Sequence, residues 1–246
     1  MKHPRILLTA LGLAGFALSA CAPDSGFKSI FNGKDLTGWD GNMKFWSVRD
    51  GAITGQSTPD KVVDPNTFLV WKGGEPANFE LRLKFKLTGE NEKKQANSGI
   101  QFRSKIMDPK TFSVGGYQAD IDMGKYIGML YEERGRGILM QPGQKIRISP
   151  LAEGQQKGKQ KASIETVATV TSPAEIAAAY KIGEWNEIRI VANGNHVQQW
   201  INGKVTADVI DDDSKNAAKS GIIALQLHKG PPMTFQVKDV QLRTLP

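Results

Sequence analysis

An all-β sandwich of two antiparallel sheets is the fold class that the sequence predicts, and three observations lead to it. The segment "FELRLKFKL" (79–87) alternates strictly. It puts Phe79, Leu81, Leu83, Phe85 and Leu87 on one face and Glu80, Arg82, Lys84 and Lys86 on the other, the period of a half-buried strand. Seven further short runs have strand character, with glycine-bearing turns among them. Only "SPAEIAAAY" (172–180) reads as a helix. A chain of this kind buries its apolar faces by packing one sheet on another, leaving the outer faces for water or a ligand.

Taken in order, the elements begin with a leader. Lys2 and Arg5 make a basic start, and Ile6–Ala17 is an apolar run too short for a bilayer-spanning helix, which needs about 20 residues. "LSAC" (18–21) follows, so residues 1–20 read as a secretory signal, and the ending resembles a bacterial lipobox in which Cys21 is acylated. Residues 21–26 are then a lipidated tether and 27–246 a single domain, since no linker divides the strands. Ala22 stands where an acid often retains lipoproteins in the inner membrane, so the expected location is the outer membrane, facing the periplasm. With one cysteine there is no internal disulfide, and the core alone must hold the domain.

After 79–87, strands are expected at 98–104, 116–121, 126–131, 185–192, 196–201, 221–227 and 234–242. "NGN" (193–195) and "NG" (202–203) are hairpin turn signals that make 185–192 and 196–201 antiparallel neighbours. Ser172 caps the helix, Pro173 suits its first position, and Glu175 completes a capping box. The stretch from Gln141 to Gly183 is the least regular and reads as an excursion from the sheet. Trp185 and Trp200 read as core residues.

Charge excludes some functions. The net charge is +7, falling to +5 when Lys2 and Arg5 leave with the leader, and it is spread along the chain. A nucleic-acid binder would cluster that charge on one face, so no nucleic-acid partner is expected. The densest basic stretch, "QQKGKQKAS" (155–163), has no aromatic residue and reads as a solvated loop. There is no G-x-S-x-G elbow, H-E-x-x-H pair or phosphate loop. His196 and His228 are the only histidines beyond the leader, which excludes a multi-histidine metal site. "DDD" (211–213) reads as an acidic turn rather than a calcium loop.

One face carries unusual chemistry. In "GGYQADID" (115–122), Gln118, Asp120 and Asp122 alternate with Tyr117, Ala119 and Ile121. In "SGIQFRS" (98–104), Gln101 and Arg103 oppose Ile100 and Phe102, and in "GIIALQLH" (221–228) Gln226 and His228 share a face with Ile222 and Ala224. These planar or short groups make fixed hydrogen bonds, and Gly99, Ala119 and Ala224 leave room beside them. The pattern reads as a groove for a polyol rather than a solvated surface. Trp39, Trp46, Trp71 and Tyr131 are available as aromatic platforms, Trp71 foremost because a glycine turn follows it, although each reads first as a core residue or one satisfied through its polar handle.

At this point the motifs become recognisable. "FNGKDLTGW" (31–39), "WSVRDGAITG" (46–55), "NSGIQFRS" (97–104), "GGYQADI" (115–121), "LYEERGRGIL" (130–139), "WNEIRIVANGNHVQQWINGK" (185–204) and "GIIALQLHKGPPM" (221–233) resemble the bacterial 3-keto-disaccharide hydrolase family. The resemblance implies a concanavalin A-like jelly roll with its site on a concave sheet. It also implies lyase and hydratase chemistry on 3-keto-glycosides that a partner oxidoreductase has made. Where many members carry Glu then Gln, this chain has Gln118 then Asp120, so the base is not copied from the family. Under this reading Asp120 is the expected base, with Glu132 its rival. Arg103 or Arg134 would hold the enolate, His228 would shuttle a proton, and Gln101, Gln118 and Gln226 would orient hydroxyls. Trp71 and Tyr131 would stack on sugar. Glu133 and Arg136 would pair with each other or brace the loop. No cofactor is required, although a divalent metal through Asp120 and Glu132 is compatible with the sequence. A non-catalytic sugar-binding lipoprotein is the alternative.

Overall fold

The computed structural model describes residues 26–93, 95–152 and 162–246. The leader, Cys21, nearly all of the tether and most of the basic stretch 155–163 lie outside the described residues. From the N-terminus come β1 (Lys28–Ser29), β2 (Trp39–Gly41), β3 (Trp46–Arg49), β4 (Ala52–Gln56) and β5 (Thr67–Trp71). Then follow β6 (Phe79–Gly89), β7 (Asn97–Asp108), β8 (Ser113–Asp122), β9 (Leu130–Glu133), β10 (Gly137–Met140), β11 (Gln144–Ser149) and β12 (Ser163–Thr169). After helix α1 (Pro173–Ala179) come β13 (Asn186–Asn193), β14 (His196–Ile201), β15 (Lys204–Asp211), β16 (Ile222–Leu227) and β17 (Met233–Thr244).

Two sheets result. One runs β12-β11-β15-β14-β13-β6-β17-β4-β3, with β1 added to β17, and the other runs β10-β9-β8-β7-β16-β5-β2. Pairing is antiparallel except between β11 and β15. The alternation of β6 is realised in the core, where Phe79, Leu81, Leu83, Phe85 and Leu87 are all buried. Across the sandwich Phe79 meets Phe102 edge-on at 6.2 Å, and Phe102 stacks on Tyr117 at 5.5 Å. Fully burying each such side chain is worth about 1.5–3 kcal/mol. The predicted hairpins form as expected, and Asn202 and Gly203 both have positive φ (47° and 80°), as a tight two-residue turn requires.

Some expectations are corrected. The polar face of β6 is not simply solvated, because Glu80 is buried and receives Arg82, Arg189 and Arg243. Trp185 and Trp200 are half-buried on the outer face, where Lys86 and Lys238 lie over Trp185 and Arg189 over Trp200. Their apolar rings cover cationic stems rather than fill the core. The strand expected at 126–131 starts only at Leu130, since Met129 N–H closes a turn on Tyr126 and brings β9 back along β8. The stretch from Gln141 to Gly183 holds two strands, β11 and β12. β11 pairs parallel with the distant β15, and β12 antiparallel with β11, so the parallel pair leaves no local turn signature to read.

The helix is capped as the sequence requires. Ser172 Oγ accepts from Glu175 N–H at 3.2 Å, and the Glu175 carboxylate accepts from Ser172 N–H at 3.0 Å. Ser172→Ala is expected to cost about 1 kcal/mol, the usual value of a lost N-cap, read as a lower urea midpoint at unchanged slope.

Candidate functional site

The outward face of the seven-stranded sheet is built by register. Gln101 pairs with Gln118 across β7 and β8, Gln118 with Tyr131 across β8 and β9, and Ala224 with Gln101 across β16 and β7. Pairing puts these side chains on the face opposite Tyr117, Ala119, Leu130 and Leu225, which belong to the core. Gly99 makes room: a Cβ there would lie 2.5 Å from Gln118 Cγ, so Gln118 lies over bare backbone. A small apolar cluster of Phe68, Val70, Val114, Ile222 and Ala224 borders the polar row.

A continuous hydrogen-bonded row connects the polar groups. Gln101 Nε2 and Gln226 Nε2 both donate to Gln118 Oε1, at 2.7 and 2.8 Å. Gln118 Nε2 donates to Asp120 Oδ1 at 2.8 Å, and Asn97 Nδ2 to Asp120 Oδ2 at 3.1 Å. Gln226 Nε2 also reaches Glu133 Oε2 at 3.2 Å. Asp120 is 3% exposed, and burial, with Asp122 and Glu133 adding to it, pushes its carboxyl up to about 7 against the two amide donors. Burial raises Glu133 as well, partly offset by Arg134. Burial, with Glu133 and Asp120 adding to it, raises the Tyr131 hydroxyl above its ordinary range. Gln226 Oε1 is buried with no donor among the described residues, an arrangement costing about 1–3 kcal/mol unless a hydroxyl or water supplies one.

Cavities flank the row. One of about 210 Å³ is lined by Asn97, Asp122 and His228, next to Asp120. Burial holds the His228 imidazole below its ordinary range, and its Nδ1 meets the Lys229 carbonyl. At the other end, a cleft of about 610 Å³ is lined by Glu133 and Arg134.

Of the expected site residues, Asp120, Gln101, Gln118, Gln226 and Tyr131 share this face, and His228 lies at its border. Glu132, Arg103, Trp71 and Arg134 lie off this hydrogen-bonded row. Glu132 pairs with Tyr117, so it points to the core face and binds Arg136, whose Nε lies 2.8 Å away. Asp120 and Glu132 therefore occupy opposite faces and cannot share a metal ion. Arg103, with φ 44°, sits in a bulge that breaks the alternation, and its Nε donates to the Ala77 carbonyl at 2.8 Å instead of joining Gln101. Trp71 packs against the core with its ring over Gly73, so it is no platform on this face. Trp39 and Trp46 are buried in the core. Arg134 is exposed at the cleft, near enough to Glu133 to act on its charge. Arg136 binds Glu132, Asp211 and Asp213 rather than Glu133, so the acidic run 211–213 holds an arginine.

Glu133, Asn97 and Phe68 complete the face and were missed by reading the sequence. For Glu133 a signal existed: once Tyr131 faces outward, strand alternation places Glu133, not Glu132, beside it.

A model of the 3-keto-alpha-glucoside-1,2-lyase-like domain matches residues 26–243. The chain belongs to this family. No curated protein sequence matches it. Among solved structures, a glycosyl hydrolase candidate from Parabacteroides distasonis ATCC 8503 is similar at 20% identity and TM-score 0.54, covering 90% of this chain and 94% of that one. Carbohydrate-binding module CBM66 from Bacillus subtilis is similar at 14% identity and TM-score 0.51, over 86% and 98% of the two chains. A Bacillus subtilis protein of unknown function with a galectin-like fold gives 12% identity and TM-score 0.52, over 85% and 90%. At these identities the structures establish the jelly-roll-like fold, and the family membership establishes a carbohydrate-related domain. For this lyase-like domain, the outward polar row is the candidate sugar site.

Proposed function

We propose that this 3-keto-α-glucoside-1,2-lyase-like domain cleaves 3-keto-glycosides by elimination and rehydration, with Asp120 as base. The observation that carries the reading is a buried carboxyl poised near neutrality in a row of amides between two cavities. A C3 ketone acidifies the C2 proton. Asp120 takes that proton, and the electron pair forms the enolate between C2 and C3. The enolate collapses to an enone as the C1–O bond breaks, and the departing oxygen takes a proton from Glu133 or Tyr131, both held toward their protonated forms. Water then adds at C1 while C2 is reprotonated. Gln101, Gln118 and Gln226 orient hydroxyls, and His228 relays protons through the cavity beside Asn97.

A second reading has one observation in its favour. Both Asp120 oxygens already accept amide donors, which suits a fixed hydroxyl-binding network without chemistry. One experiment separates the two. The protein is incubated in D₂O with a 3-keto-glucoside, and C2 deuteration and released aglycone are followed by NMR. Deuteration with release supports the lyase; binding with neither leaves a sugar-binding domain.

We further propose that the chain is an exported lipoprotein, anchored through acylated Cys21 and working beside the oxidoreductase that makes its substrate. Cys21→Ser should release the protein into the soluble fraction of cells. A variant that stays membrane-bound and is processed as before removes the anchor.

A further inference from the structure

The cleft at the Glu133 end of the row has a charge that the row does not explain. It measures about 610 Å³, and its lining includes Arg103, Lys105, Arg134, Lys215 and Lys219 beside Glu133. Arg136 also reaches it, but that guanidinium is held by Glu132, Asp211 and Asp213. The other cations form no ion pair within 4 Å among the described residues, although Arg134 acts on the charges of Glu133 and Asp108. Arg103 is 2% exposed, yet its hydrogen bonds all go to uncharged oxygens: the carbonyls of Ala77, Gly194 and Ala218 and the side chain of Asn78. A guanidinium so buried without a counter-charge is costly, and a nearby anion would offset that cost. Lys105, Arg134, Lys215 and Lys219 are exposed. The lysines that form ion pairs among the described residues are Lys84, Lys145, Lys204 and Lys229, none of which lines this cleft.

The cleft is continuous with the candidate site, because Glu133 lines it while accepting from Gln226 in the row. A sugar whose C2 lies at Asp120 would direct its leaving group along the row towards Glu133. What lies there is a cavity large enough for a second sugar ring, with five cations against one carboxylate not already bound to arginine.

We propose that this cleft is the leaving-group subsite and that the leaving group is anionic, a sugar carrying a carboxylate or a sulfate ester. The proposal rests on the lyase reading for the direction of the substrate. Lys105, Arg134, Lys215 and Lys219 draw the anion in, and Arg103 at the buried side supplies charge that solvent screens little.

The test is calorimetric and needs no turnover. Three disaccharides of one linkage are titrated into the protein at low ionic strength: glucosyl-glucose, glucosyl-glucuronate and glucosyl-glucose sulfated on the second ring. At least one charged disaccharide should bind about tenfold more tightly than the neutral one, the scale of a hydrogen bond to a charged group. The larger preference identifies the anion, and added salt should erode it. In the triple variant Lys105→Glu, Lys215→Glu, Lys219→Glu, which alters only exposed side chains, the ratio of charged to neutral affinity should fall to about one or below. Equal affinity of all three sugars for the unaltered protein overturns the proposal, as does a preference that survives the triple variant. A charge preference in a protein that exchanges no C2 proton keeps the subsite and removes the lyase. Exchange with no charge preference removes the subsite alone.

Discussion

Asp120→Asn is expected to fold and to bind sugar, yet to lose about 10²–10⁴ of its turnover on a 3-keto-glucoside, the range typical of removing a general base. Asparagine is nearly isosteric and keeps an oxygen that can accept from Gln118 or Asn97, so the row persists while the proton acceptor is gone. C2 exchange in D₂O should fall with turnover. Glu133→Gln, run beside it, should slow release more than exchange if Glu133 is the proposed proton donor to the leaving oxygen. Full exchange in the Asp120 variant with none in the Glu133 variant would move the base to Glu133. The pH dependence gives a second readout. Asp120 acts only when ionised, so kcat/KM of the unaltered protein should rise with pH through about 7. Stability has the opposite sign. A carboxyl raised from its ordinary value near about 4 favours the fold when protonated, so its contribution is full at acid pH and is lost as pH climbs through about 7. Asp120→Asn should therefore gain stability relative to the unaltered protein across that window, and a constant difference would contradict the burial of the charge.

Arg136→Met is expected to destabilise the fold by about 3–5 kcal/mol, the cost of breaking a buried ion pair from one side. The guanidinium is 2% exposed and binds three carboxylates: Glu132 at 2.8 Å, Asp211 at 2.7 Å and Asp213 at 3.3 Å. Tyr117 Oη completes the group by donating to Asp211 at 2.5 Å, and its own proton is held well above the ordinary tyrosine range by burial and that carboxylate. Methionine fills comparable space but leaves three buried acids without a cation. Arg136→Lys keeps a charge but not the fork that reaches Glu132, Asp211 and Asp213 together, so it should recover less than half of the loss. Urea denaturation measures both, and a loss below about 1 kcal/mol for Arg136→Met would place the network among weak surface pairs. Because Glu132 adjoins Glu133, the network also fixes where the Glu133 end of the row sits. Turnover in the folded fraction of the variant should fall as well.

The sequence by itself determined the class of fold and which face carries Gln101, Gln118, Asp120 and Gln226. Strict alternation in 79–87 required a half-buried strand, the asparagine-glycine turns fixed two hairpins, and the Ser172–Glu175 box fixed the helix. Each is a local rule, satisfied within a few residues. The same alternation put Gln118 and Asp120 on one face, opposite Tyr117. Alternation fails where strands bulge or where their start is misjudged, and those places decided the remaining residues. A bulge with φ 44° turned Arg103 out of the row. The late start of β9 left the choice between Glu132 and Glu133 to register against β8. Two of the three carboxylates that Arg136 binds lie 75 and 77 residues away, a separation that no local pattern encodes. The near-neutral carboxyl of Asp120 exists only because distant strands remove water from it, since desolvation is a property of the packed sheet and not of the residue.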